Sequence, residues 1–288
     1  MTYSIVARDP ETGELGVGIQ SRAFASGAVV PWAAAGVGAV ATQAYGEKSY
    51  GPLGLDLLRA GKSPRLALDG LLAADPGAET RQVAILAADG EVAAHTGATC
   101  IPAAGHASSN GVSAQANCVD SAAVWESMVE AFESSQGTLA RRLLAALDAA
   151  EAAGGDWRGR QAAGLVVVPA EGAPWQRVTD LRVDDHPEPL HELRRLLDLE
   201  DGYRALDADG GRTEAARAAR MADLDIRFAE LLDAAHEGDI ERGRAVVAPL
   251  LAEEPRWADY MRALSEAGEL PHADELLGKR HLREGDDA

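Results

Sequence analysis

A threonine stands directly behind the initiator methionine, and its hydroxyl and backbone nitrogen together could do chemistry. A residue as small as Thr2 permits removal of Met1, and the α-amino group then exposed would sit beside its own side-chain hydroxyl. Free α-amines titrate near pH ~8, close enough to neutrality to take the hydroxyl proton, which is the N-terminal-threonine form of nucleophilic catalysis. Such a nucleophile attacks a carbonyl, needs donors for the oxyanion, forms an acyl-enzyme and is released by water. Met-Thr also opens many chains by chance, so the rest of the constellation matters. Ser4 is the fallback: it shares a strand face with Thr2 by the period-two rule but would require processing beyond loss of Met1.

The partners such a nucleophile needs can be sought by type. Asn117, in Gln115-Ala116-Asn117-Cys118, lies just past a strand pattern, where a side-chain amide can donate to an oxyanion without titrating; an ordinary asparagine in a strand-to-helix connection would look the same. Ser21 and Arg22 come near Thr2 if an opening hairpin returns its far end there. Arg22 could orient the α-amine or hold a substrate carboxylate by a bidentate contact; its plainer role is an ion pair in an acidic chain. Gln43 stands where an apolar strand turns abruptly polar, in Ala41-Thr42-Gln43-Ala44-Tyr45-Gly46, and sites tend to be built at such strand ends. Tyr50, His95 and His106 complete the candidate substrate-binding set.

His95, His106, Cys100 and Cys118 lack the close CxxC or HxxxH spacing of zinc sites, so no metal is expected; the imidazoles read as bonded to backbone carbonyls and the two cysteines as buried free thiols. Gly16-Val17-Gly18 and Gly36-Val37-Gly38 lack a third glycine at dinucleotide spacing, and no cofactor is expected.

These residues need elements to hold them. Residues 2–8 alternate as a strand, Asp9-Pro10-Glu11-Thr12-Gly13 supplies a turn, and residues 14–21 run back as its partner. Residues 33–43, small and glycine-rich, read as a central strand. Two short helices follow, at 52–59 and after Ser63-Pro64, the second ending at Asp75-Pro76-Gly77. A second hairpin spans 82–95, a loop 97–111 and a strand 112–115. Ser121 caps a helix with Val124, Met128 and Phe132 on one face, and a second helix carries Leu139, Leu143 and Leu147. Residues 164–168 form a buried strand and 177–183 a more exposed one. The order of strands, helices, strands, helices, strands suits an α+β domain in which helices cover both sides of stacked antiparallel sheets.

Thr2-Tyr3-Ser4-Ile5-Val6-Ala7-Arg8-Asp9-Pro10-Glu11-Thr12-Gly13, Gly27-Ala28-Val29-Val30-Pro31-Trp32, Gly36-Val37-Gly38-Ala39-Val40-Ala41-Thr42-Gln43, Tyr50-Gly51-Pro52-Leu53-Gly54-Leu55-Asp56-Leu57-Leu58 and Gly159-Arg160-Gln161 together resemble the DUF1028 family over most of residues 2–199. That family resembles N-terminal-nucleophile hydrolases, which implies a four-layer αββα sandwich and an amide-bond hydrolase of unspecified substrate. The expected reaction is hydrolysis of a small-molecule amide or related C–N bond; the alternative is a non-catalytic binding or scaffold protein that keeps the fold.

From Pro187 the character changes to amphipathic helix, then to an Asp- and Gly-rich stretch, 200–212, that reads as a linker, then to successive helices over 213–288 with no strand pattern. The tail resembles the small helical unit, named for peptidoglycan binding, that follows the first domain in some DUF1028 proteins. Its acidic helices read more simply as a packing or dimerisation module, so a homodimer is an expectation.

The sequence has 288 residues, and 27 Lys and Arg stand against 46 Asp and Glu, for a formal net charge of −19. Clustered positive charge is what phosphate binding needs, so neither nucleic acid nor an anionic membrane surface is an expected partner. No window is apolar enough to span a bilayer, and Arg8 and Asp9 interrupt the first strand where a signal peptide needs an apolar core; the expected location is the cytoplasm.

Overall fold

The computed structural model describes residues 2–206 and 210–278, which divide into two compact units between Leu196 and Leu197. The first is α+β. Its opening hairpin pairs β1 (Thr2–Arg8) with β2 (Leu15–Ser21), and the turn closes through Asp9 N–H to Glu14 O and Gly13 N–H to Asp9 O. Asp9 Oδ1 accepts from the backbone N–H of Glu11 and Thr12, so the carboxylate holds the turn that the Asp-Pro sequence begins.

The expected single strand over 33–43 is instead a hairpin, β3 (Pro31–Ala34) and β4 (Gly38–Ala44). Gly36 takes φ +66° in the turn, a conformation glycine adopts without steric penalty, and this is what breaks the apolar run in two. After α1 (Tyr50–Arg59) and α2 (Pro64–Ala74) come β5 (Arg81–Ala87) and β6 (Val92–Thr96). The stretch read as a loop over 97–111 contains a strand, β7 (Ala104–Ser109), which pairs with β8 (Val112–Asn117). β7 is a sheet edge with mostly exposed side chains, and so lacks the apolar alternation that marks a half-buried strand. Helices α3 (Ala123–Ser134) and α4 (Leu139–Ala152) and strands β9 (Ala162–Val168) and β10 (Thr179–Val183) follow; Thr138 caps α4, whereas Ser121 does not cap α3.

Two antiparallel sheets result, a six-stranded one in the order β10-β9-β2-β1-β8-β7 and a four-stranded one in the order β3-β4-β5-β6. Alternation along each strand divides the side chains between faces. Val6, Val17, Ile19 and Val166 from the larger sheet meet Ala39, Ala41, Ala84 and Leu86 from the smaller one in a shared core. Val40, Val83 and Ile85 turn the other way, to pack against Leu55, Leu58, Leu68 and Leu71 of α1 and α2. On the remaining face of the larger sheet, α4 approaches β2 so closely that a Cβ at Gly16 would lie 2.7 Å from Leu143 Cδ1. No helix among the described residues is long and apolar enough to cross a membrane.

The Asp- and Gly-rich stretch expected to be a linker is helical as far as Leu206, since α5 spans Pro189–Leu206; residues 207–209 lie outside the described residues. Leu199 and Leu206 pack with Ala216, Ala219 and Met221, and that burial outweighs the unfavourable helix propensity of Gly202. In the second unit α6 (Arg212–Ala218), α7 (Asp223–Glu237), α8 (Ile240–Glu253), α9 (Trp257–Glu266) and α10 (Ala273–Leu277) close over their own core of Leu231, Val247, Leu250, Met261 and Leu276. Buried Asp233 caps the start of α6 by accepting from the N–H groups of Arg212 and Thr213.

Candidate active site

Register brings the three catalytic candidates together. β1 lies between β2 and β8, and Thr2 faces Ser21 on one side and Asn117 on the other, so a threonine, a serine and an asparagine stand in one row across three strands. All three are buried, Thr2 with 6% of its surface exposed. Thr2 Oγ1 lies 3.0 Å from Ser21 Oγ, and Asn117 Nδ2 lies 3.4 Å from the Thr2 carbonyl oxygen.

Beneath this row the space between the sheets is filled by amides rather than methyl groups. Gln82 Nε2 donates to the carbonyls of Ala116 and Gly105 and to Thr96 Oγ1. Carbonyls only accept, so these bonds fix the orientation of the Gln82 amide and turn its Oε1 toward Gln43 and Asn117, which donate to it at 2.7 Å and 2.9 Å. Gln43 Nε2 also reaches the Thr2 and Gln115 carbonyls, while its Oε1 accepts from Ser4 Oγ at 2.6 Å. Gln115 Nε2 in turn donates to Ser4 Oγ. Ser4 is thus fully committed within the network. The Asn117 amide donates to Gln82 Oε1 at 2.9 Å and, at the longer distance of 3.4 Å, to the Thr2 carbonyl oxygen.

Two clefts open at this end of the sheets. One, of about 180 Å³, is lined by Thr2, Ser26, Val30, Gln43, Ala44 and Lys48 among others; the second, of about 240 Å³, by Ala44, Tyr45, Ile101, Asn117 and Arg158. Ala44 borders both. Three non-glycine residues around these clefts hold left-handed backbone, Ala25 (φ 51°), Ala44 (φ 66°) and Cys118 (φ 54°), directly beside Ser26, Gln43 and Asn117. Such conformations cost on the order of 1 kcal/mol each and gather where structure is shaped for a site rather than for stability.

The remaining candidates do not converge on Thr2. Arg22 donates through Nη1 to Gln161 Oε1, and its backbone N–H bonds Asp156 Oδ2; neither cleft is lined by it. The guanidinium at the Asn117 cleft is that of Arg158, which pairs with Asp156 at 3.4 Å. Tyr50 is buried with α1 and α2 on the outer face of the smaller sheet, its hydroxyl donating to Asp75 Oδ2; burial foremost, then Asp75, raise its pKa. His95 Nε2 contacts Ala78 O, as expected of an imidazole bonded to a backbone carbonyl. His106 Nδ1 meets Thr96 Oγ1, at the far end of the amide network, and its pKa is lowered by burial and by His95. Cys100 and Cys118 are buried free thiols whose pKa values burial raises, and no three metal-ligating side chains cluster among the described residues.

Ser26, Lys48 and Gln82 escaped the sequence reading. Gln82 had a signal: a glutamine at an inward position of a strand that continues Ala84, Leu86 has to be satisfied from the facing sheet. Ser26 sits in a 3-10 turn, Ser26–Ala28, and nothing local marks it. Gly159-Arg160-Gln161 gains a role as a clasp on the Thr2–Ser21–Asn117 row. The Gln161 N–H donates to Ser21 O, and Arg160 pairs at 2.5 Å with Glu151, which also accepts from Tyr3 Oη at 2.6 Å.

Comparison with known proteins gives a family without a function. Residues 2–193 match the model of a family of unknown function, DUF1028. A crystal structure of a Silicibacter pomeroyi protein assigned to that family shares 32% identity, with a TM-score of 0.64, over 75% of this chain and 93% of that one. The Anbu (ancestral beta-subunit) protein of Yersinia bercovieri aligns at 10% identity and a TM-score of 0.30 over 72% of this chain and 98% of that one. No curated protein matches.

Proposed function

This chain belongs to the DUF1028 family, and we propose that it is an amide hydrolase whose nucleophile is Thr2 after removal of Met1. In this reading the two sheets and their flanking helices are the four-layer αββα arrangement of N-terminal-nucleophile hydrolases. The observation that carries it is the placement of Thr2, which lines a cleft, with its Oγ1 3.0 Å from Ser21 Oγ and its carbonyl oxygen 3.4 Å from Asn117 Nδ2.

The chemistry balances on these groups. The free Thr2 α-amine takes the proton of Oγ1 while Ser21 Oγ fixes the hydroxyl rotamer, and Oγ1 adds to the substrate carbonyl carbon. The second N–H of Asn117 turns from its long contact with the Thr2 carbonyl to stabilise the oxyanion. The C–N bond then breaks, the leaving amine carries off the proton held by the α-amine, and an ester to Thr2 remains. Water adds to that ester, giving a carboxylic acid and restoring Thr2.

Intact-mass measurement of the protein isolated from cells is expected to show a chain beginning at Thr2. Thr2→Ala should then reduce release of amine from small amides by about 10⁴-fold or more, and Thr2→Ser should retain part of it. Asn117→Ala should lower kcat by about 10²–10³-fold. Turnover unchanged in Thr2→Ala, or turnover by a chain that keeps Met1, would overturn the reading.

One observation favours a non-catalytic scaffold instead: Asn117 Nδ2 is already engaged by Gln82 at 2.9 Å, as a purely structural amide would be. That reading expects no turnover and an effect of Asn117→Ala on stability alone.

A further inference from the structure

The smaller cleft says what kind of amide would fit, an inference that rests on the hydrolase reading. Ser26 lines it with 3% of its surface exposed, and its Oγ is buried without a hydrogen-bond partner. A buried hydroxyl left unpaired costs about 1–3 kcal/mol, and a site that uses it to hold a ligand is the ordinary reason to keep one. Lys48, one of three lysines in the sequence, stands exposed at the same cleft and makes no ion pair among the described residues. The acidic neighbour Glu47 lines a different cleft, between α1 and α2, where its Oε1 accepts from the Ser49 N–H. No lining residue of the Thr2 cleft is acidic.

Val29, Val30, Ala23 and Ala44 give the cleft an apolar wall, which Phe24 extends, while Thr42 and Gln43 add polar groups. At about 180 Å³ the space is well below the ~300 Å³ at which drug-sized pockets begin, which suits a short acyl chain better than a bulky peptide side chain. The formal charge of −19 does not settle the sign of the ligand. Exposed charges farther away than about 8–10 Å are screened at physiological salt, and the charged side chain at the cleft itself is that of Lys48.

We propose that the substrate is a short aliphatic amide carrying a carboxylate on its acyl half, with the acyl chain against Val29 and Val30, a polar oxygen on Ser26 Oγ, and the carboxylate on Lys48 Nζ. The reactive carbonyl then lies at Thr2, and the leaving amine points out of the cleft. Arg158 is the lesser candidate for the carboxylate, because Asp156 already neutralises it.

The probes are succinamate and its isosteric neutral counterpart succinamide, with malonamate and glutaramate to vary chain length. They are offered to full-length protein confirmed by mass to begin at Thr2, and amine release is followed. Succinamate is expected to be preferred by about tenfold or more in kcat/KM, the worth of one charge-assisted hydrogen bond. Lys48→Met should collapse that ratio toward one through KM, Lys48→Arg should retain most of it, and Lys62→Met, in the turn between α1 and α2, should leave it intact. Ser26→Ala should raise KM for every accepted amide.

Binding of the product-like dicarboxylate succinate to the Thr2→Ala protein, read by calorimetry, separates the two readings. Binding that depends on Lys48, with no amide turned over by the wild type, would leave the cleft assignment standing and remove the hydrolase. Equal turnover of succinamide and succinamate, or a ratio unmoved by Lys48→Met, would overturn the carboxylate assignment and leave the hydrolase. Neither turnover nor binding would remove both.

Discussion

The two ends of the space between the sheets are built from the same strands and filled oppositely. At one end Val6, Ala39, Ala84 and Leu86 meet in an apolar core; a few residues along the same strands, Thr2, Ser4, Gln43 and Gln82 replace them with hydroxyls and amides. Burying an amide is unfavourable unless its bonds are remade, so the polar end contributes less to stability per residue than the apolar end and demands more exact geometry. The left-handed residues Ala25, Ala44 and Cys118 gather at the polar end as well. Stability is concentrated at one end and candidate chemistry at the other.

The largest test of that contrast sets Leu86→Ala against Gln82→Leu. Leu86 is fully buried, and its truncation should cost about 2–5 kcal/mol in urea unfolding while leaving any turnover close to wild type. Gln82→Leu keeps the volume but strands the carbonyls of Gly105 and Ala116 and removes the acceptor of Gln43 and Asn117. It should cost about 3 kcal/mol and, unlike Leu86→Ala, lower turnover by as much as the ~10²–10³-fold expected for Asn117→Ala, by freeing Asn117 to rotate. If Gln82→Leu proved stabilising with activity intact, the amide network would have no bearing on the site.

A smaller effect tests the backbone. Ala44 takes φ 66° where the two clefts meet, and glycine adopts that conformation without penalty. Ala44→Gly should therefore raise stability by about 0.5–1 kcal/mol in urea unfolding, relief of the left-handed strain outweighing the added entropy of the unfolded chain. It should lower turnover by loosening the Gln43 segment. A loss of stability would show that the conformation there carries no strain.

The contrast also explains what could be read from the sequence. The opening hairpin was legible because Asp9-Pro10 and Gly13 mark its turn, and once its ends are fixed the pairing of Thr2 with Ser21 follows. The α+β order was legible from periodicity, which reports apolar faces. The edge strand β7 has no such face, and the hairpin turn at Gly36 hid inside a run of small residues. The surroundings of Arg22 and Tyr50 were not legible, since only tertiary structure sets Arg22 on Gln161 and packs Tyr50 on the outer face of the smaller sheet. Ser26 was illegible because its role depends on a cleft that only tertiary structure forms.

The smallest effect concerns pH, and β5 carries both halves of it in adjacent residues. Gln82 points between the sheets into a network whose members next to it, Gln43, Asn117 and Thr96, do not titrate in the acid range. Arg81 reaches Asp75 instead, with Nε 2.7 Å from Oδ2. The Arg81 hydrogen bond, then the Gly77 N–H, hold the Asp75 carboxyl down at about 2, with the Tyr50 hydroxyl adding to the effect and burial opposing it. The unfolded carboxyl titrates near pH ~3.9, so between that value and about 2 the unfolded chain binds the proton that the folded chain refuses. The stabilisation from Asp75 is therefore complete above pH ~4 and is lost as pH falls toward the folded value. Acid unfolding followed by circular dichroism should show a shallower decline in this window for Asp75→Asn than for wild type. Gln82→Leu should shift the whole curve downward and keep the wild-type slope, because an amide has no proton to gain; a change of slope in Gln82→Leu would mean that the two faces of β5 are coupled.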